Sequence, residues 1–157
     1  MHRSVLHPST ALTRQEYNAL LEFCAVWTSK ILLVVRQWNE LRPAGKAILR
    51  ELSTDRVEAS ETPEWPGTVL LGHTARVYKF PISARTISVL KNSRNGLFDW
   101  LEPEFPEDLC FLRSDDTPLF VSITHERQAY FELTAPERSA LKETVPNLVL
   151  TPNFYMV

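Results

Sequence analysis

Apolar positions along this chain change period several times, and each change marks a predicted element. Tyr17, Leu20, Leu21, Cys24 and Trp27 recur at helical steps, the spacing that puts side chains on one face of a helix. Thr13-Arg14-Gln15-Glu16 stands before them in the form of a capping box, Thr13 accepting from the amide three residues on while Glu16 reaches back. A helix is therefore predicted over 14–28. Ile31-Leu32-Leu33-Val34-Val35 is continuous, short and partly β-branched, the mark of a strand buried on both faces. A second helix begins near Pro43, where a first-turn proline loses no needed hydrogen bond, and is expected to present Ala47, Ile48 and Leu52 inward. Residues 54–68 carry acids, two prolines and a glycine and read as the longest loop. Val69 to Ile82 resembles one long strand or two short ones, and Ser83 is an N-cap for a third helix through Ile87 and Leu90, stopped by Asn95-Gly96.

The last third is punctuated more clearly. Leu109 to Arg113 is a strand, Ser114 to Pro118 a turn, and Leu119 to Thr124 a second strand. A third, Ala129 to Thr134, follows the polar turn His125-Glu126-Arg127-Gln128. Thr134-Ala135-Pro136-Glu137 sets a cap, a proline and an acid in the order that opens a helix, and Leu148 to Leu150 is a short final strand. Residues 1–12 show no period and are expected to be a flexible lead-in, with a single domain over 13–157. The order of elements predicts an α+β sandwich, a mostly antiparallel sheet with three to four helices.

Composition narrows the function classes. The chain has 157 residues, 44% of them hydrophobic and 23% charged, with a net charge of −2. It offers no global basic field for nucleic acid. Its apolar runs fall far short of the roughly 20 residues a bilayer span needs, so no membrane partner is expected. The start lacks the apolar stretch of a signal peptide. Cys24 and Cys110 both lie among apolar residues and read as buried thiols of a cytoplasmic protein.

Candidate chemistry is sparse. His125-Glu126 would serve a zinc protease only with a second histidine four residues after the first, and position 129 is alanine. The four histidines, His2, His7, His73 and His125, have no metal-like spacing, so neither a metal nor a cofactor is expected. Cys110, between Leu109 and Phe111, is expected to be buried rather than nucleophilic. Glycine occurs only at 45, 67, 72 and 96, too sparsely for a phosphate or dinucleotide loop.

Charge is distributed unevenly. Residues 1–50 hold seven Lys or Arg against three Glu, whereas residues 97–116 hold seven acids against Arg113 alone. In the second stretch Asp99, Trp100, Glu102, Glu104, Glu107 and Asp108 alternate with large apolar residues and prolines, and Asp115 and Asp116 follow. Trp65-Pro66-Gly67 is a type II turn signal whose tryptophan is expected to fold back and plug the end of a sheet.

Taken with Trp65-Pro66-Gly67-Thr68, the run Pro106-Glu107-Asp108-Leu109 with Phe111-Leu112-Arg113, and Ser122-x-x-His125-Glu126, the chain resembles a group of small bacterial proteins without an established activity. Some carry a label taken from a sporulation protein (stage III sporulation AH-like). The resemblance covers about residues 13–150 and implies no catalytic residue.

Two functions are expected from these residues. The first is a cytoplasmic interaction module, most concretely an immunity-type protein, that grips a basic protein partner through the acidic aromatic edge Asp99, Trp100, Glu102, Glu104, Glu107 and Asp108, with Asp115 and Asp116 as steering charges. The alternative is a small enzyme or ligand-binding protein with a pocket near His73, His125 and Glu126.

Overall fold

The computed structural model describes residues 2–9, 11–54 and 56–152. In chain order its elements are β1 (Ser4–Pro8), α1 (Arg14–Trp27), β2 (Lys30–Val35), α2 (Pro43–Leu52), β3 (Glu58–Thr62), β4 (Glu64–Trp65), β5 (Thr68–Val69), β6 (Ala75–Pro81), α3 (Ala84–Ser93), β7 (Glu107–Leu112), β8 (Pro118–Ile123), β9 (Gln128–Leu133), α4 (Ala135–Thr144) and β10 (Leu150–Thr151). The fold is α+β. Eight strands form one antiparallel sheet in the order β10-β1-β9-β8-β7-β2-β6-β3, and β4 and β5 form a separate hairpin.

Local chemistry explains where the helices start. The boxes at Thr13/Glu16, Ser83/Thr86 and Thr134/Glu137 are all closed in both directions, so α1, α3 and α4 begin with amide donors satisfied, whereas α2 begins on Pro43 without a side-chain cap. The helices cover one face of the sheet. Ile31, Leu33 and Val35 of β2 share a core cluster with Leu20, Leu21, Leu49, Leu90 and Leu141, whereas Leu32 and Val34 share the opposite cluster with Trp65 and Cys110. Strand β2 is thus buried on both faces, as its unbroken apolar run predicts. On the second face the cover is the β4–β5 hairpin. Gly67, at its tip with φ +86°, comes so close to Val121 and Ile123 that a Cβ there would stand 2.9 Å from Ile123 Cγ1.

Three expectations are corrected. Residues 1–12 are not merely a lead-in, because Ser4–Pro8 pairs with β9 and β10 inside the sheet. His7 is buried there against Tyr130, its Nδ1 3.3 Å from the Ala129 carbonyl. Within 54–68, Glu58–Thr62 is an edge strand on β6; four of its five side chains are exposed and the fifth only partly covered, so no apolar alternation betrays it. In α2 the buried residues are Gly45, Leu49 and Leu52, a face rotated from the expected Ala47 and Ile48. Gly45 packs so close to the Glu104 carbonyl that a Cβ would lie 2.7 Å from it. No helix among the described residues is long and apolar enough to cross a membrane.

Candidate functional site

At the C-terminal end of β2 the ladder to β7 is irregular. Leu32 faces Cys110 and Val34 faces Glu107, so two steps on β2 oppose three on β7, the geometry of a bulge. Asp108 takes up the irregularity with φ +57°, a left-handed conformation that aspartate tolerates better than most residues. In a regular strand Glu107 and Asp108 would point to opposite faces. The bulge turns both carboxylates toward Arg36, the residue that follows β2.

Hydrogen bonds hold Asp108 in place. Its Oδ1 accepts from the Thr124 amide at 2.8 Å and its Oδ2 from Trp65 Nε1 at 3.0 Å, while its own amide donates to Thr124 Oγ1. Trp65 folds back as expected, but onto the second face of the sheet rather than its end, and its indole N–H ends on a buried carboxylate. Arg36 lies over the Trp65 ring, 5.4 Å from its centroid. Its Nε is 3.2 Å from Glu107 Oε2 and its Nη2 is 4.0 Å from Asp108 Oδ2. Arg36 Nη2 also lies 3.4 Å from His125 Nδ1, and that nitrogen is 3.6 Å from Glu107 Oε2. His125 comes from the short 3-10 turn Thr124–Glu126 between β8 and β9, and its Nε2 faces Glu126 at 3.9 Å. Glu102 completes the ring, its Oε1 accepting from the Arg36 backbone amide at 2.9 Å.

Four carboxyls therefore gather around one guanidinium and one imidazole. Glu107 is only 4% exposed. Burial, reinforced by the negative charges of Asp108 and Glu102 and opposed by Arg36, pushes its carboxyl up to about 8. Glu102 is also raised, by burial first. A carboxyl that holds its proton near neutrality beside a half-exposed imidazole can give and take protons, and such perturbed groups mark functional centres. Glu107 Oε2 and Arg36 Nε, although adjacent, both lack an aligned hydrogen bond, an arrangement that folding alone does not favour.

The sequence-predicted residues divide sharply. The acidic aromatic edge is corrected, because its eight residues do not form one accessible surface. Trp100 is 0% exposed; its Nε1 donates to the Tyr17 hydroxyl at 2.9 Å and its ring meets Phe105 edge-on. Glu107 and Asp108 are buried and engaged by Arg36. Asp99 is half-buried in a 3-10 turn, and Glu102 points into the centre just described. Glu104 is exposed and pairs with Arg42. Asp115 accepts from Thr117 within its own turn, and Asp116 is held by Lys30 and Lys79. Apart from Asp99, these acids face the chain's own donors, and the largest ring lies inside.

For the alternative pocket, the structure brings His125 and Glu126 together with Glu107 and Asp108. His73 is exposed in the connection between β5 and β6 and is not among the side chains that converge on His125. Cys24 and Cys110 are both free and buried; burial raises both thiols, so neither is a nucleophile. The expectation of no metal site followed from sequence spacing, yet Glu107, Asp108 and His125 place one potential ligand atom each within 4.8 Å of one another. Arg36 and Trp65 were missed as members of the centre. The polar runs around both carry no spacing that links them to residues 107 and 125, so no sequence signal could have joined them. No protein-family model, curated protein or solved structure matches the chain, and what the centre does rests on its geometry.

Proposed function

We propose that the protein is a small ligand-binding protein, equipped for acid–base chemistry, whose working site is the centre formed by Arg36, Glu107, Asp108 and His125 and whose ligand is a small cation. The observation that carries this function is Glu107 Oε2, buried, without an aligned hydrogen bond among the described residues although Arg36 Nε stands 3.2 Å away, and facing an imidazole that reaches the surface. A purely structural ion pair would gain by aligning Arg36 on that oxygen or by replacing both partners with apolar groups. The surplus of carboxyls over the single guanidinium favours a positively charged visitor. Two free, buried cysteines suit a reducing compartment such as the cytoplasm.

The experiment is a nuclear magnetic resonance titration of the intact protein with a panel of small cations: Mg2+, Ca2+, Mn2+, Zn2+, ethylammonium and guanidinium. The expected result is that at least one of them saturably shifts or broadens the His125 ring, Trp65 indole N–H and Thr124 amide signals. If every member leaves those three signals in place, the function is refuted.

A further inference from the structure

Resting on that ligand-binding function, we infer that the cation is a divalent first-row transition metal, with Zn2+ the best-fitting member, held by Glu107, Asp108 and His125. The three donors come from two elements that the bulge and the 3-10 turn bring to one point. Glu107 Oε2 and His125 Nδ1 are 3.6 Å apart. Two donors each about 2.1 Å from a tetrahedral zinc stand roughly 3.4 Å from one another, so this pair is already near its working separation. All three donor atoms lie within 4.8 Å of each other.

A second observation, independent of how many acids are present, points into the same space. The Glu107 side chain is 6% exposed and its Oε2 lies 3.2 Å from Arg36 Nε, but among the described residues no donor makes an aligned hydrogen bond to it. That oxygen has lone pairs to offer beside the imidazole nitrogen. Asp108 is anchored as metal-bound carboxylates are, each oxygen fixed by one N–H from Thr124 or Trp65 and each keeping a further acceptor direction. The set of two carboxylate oxygens and one imidazole nitrogen suits zinc or manganese better than calcium or magnesium, which prefer oxygen alone. His125 is 39% exposed, so a metal here would keep a side open to solvent, as reactive zinc sites do.

Arg36 is the competitor. Its guanidinium contacts all three ligands, and two cations cannot share that space at such distances. The side chain is 28% exposed and lies on the Trp65 ring, leaving solvent as its route out when the metal enters. Removing that guanidinium must therefore tighten metal binding, while removing His125 must weaken it.

The test is calorimetric titration of the intact protein with Zn2+, alongside absorption spectroscopy with Co2+ as the coloured substitute. The expected result is one equivalent bound, with Co2+ ligand-field bands of a mixed nitrogen–oxygen site. Arg36→Gln should bind at least about tenfold more tightly, and His125→Ala at least about tenfold more weakly. His73→Ala, altered outside the centre, should match the parent. Circular dichroism checks that each variant is folded; His125 and His73 are both exposed enough to be replaced safely. The metal assignment is overturned if neither the parent nor Arg36→Gln takes up one equivalent, or if His125→Ala binds as the parent does. Should the metals fail while ethylammonium or guanidinium still shifts His125 and Trp65, the metal falls and the ligand-binding function stands. Silence from the whole panel removes both.

Discussion

Replacing Glu107 by glutamine keeps the shape and hydrogen-bonding capacity of the protonated acid and removes its titration. In the unfolded chain this carboxyl ionises near its ordinary value of 4.5; in the folded protein it holds its proton up to about 8. Below pH 4.5 the group is protonated in both states and costs folding nothing. As pH rises, the unfolded chain ionises first, so stability is lost progressively between about 4.5 and 8 and then levels off. At 1.36 kcal/mol per pH unit, that interval corresponds to on the order of 3–5 kcal/mol. Asp115, Asp116 and Glu137 have the opposite sign: their carboxyls lie below the usual range, so their contribution is present at neutral pH and lost only in acid. Urea unfolding of parent and Glu107→Gln, followed by tryptophan fluorescence at pH 5, 6.5 and 8.5, separates these effects, because the difference between the two proteins cancels the distant acids and leaves Glu107 together with the neighbouring Glu102, whose titration it influences. The expected outcome is near-equality at pH 5 and a glutamine variant more stable by roughly 3 kcal/mol at pH 8.5. A glutamine variant less stable than the parent at pH 8.5 would show that ionised Glu107 and Arg36 stabilise the fold as an ordinary ion pair, and the reasoning about this centre would fail.

Other consequences follow from the same packing. Arg113 grips both oxygens of Glu137 and donates to the Pro118 and Glu132 carbonyls; Arg113→Met strands a buried acid and should cost about 3–5 kcal/mol in urea unfolding. Tyr17 accepts from Trp100 and donates to the Leu90 carbonyl at 3.2 Å, so Tyr17→Phe leaves two buried groups unpaired and should lower stability by about 1–3 kcal/mol. Gly67→Ala combines a positive φ with contact on Ile123; thermal melting should show a loss of more than about 1 kcal/mol, together with a change in Trp65 fluorescence as the hairpin lifts.

What the chain's own pattern determined was the local part of this protein. Thr13, Ser83 and Thr134 announce their helices because capping is a contact between residues three apart, and the unbroken run Ile31–Val35 announces a doubly buried strand because burial leaves its mark on each residue separately. Even the role of Trp65 was legible, since Pro66-Gly67 fixes the turn that folds the ring back. Strand β1 and strand β3 were not legible. Ser4–Pro8 and Glu58–Thr62 owe their extended form to partners 125 or so and about 15 residues away, and neither carries the alternation that a local pattern needs. The centre at Arg36 was decided by tertiary structure alone. Acids at 102, 107 and 108 looked like a solvent-facing edge because sequence records charge but not direction. A one-residue irregularity between β2 and β7 reverses Asp108, the β4–β5 hairpin delivers an indole, and the β8–β9 turn delivers an imidazole. Each of these depends on strand register, which is set by the summed packing of both sheet faces and by no residue on its own.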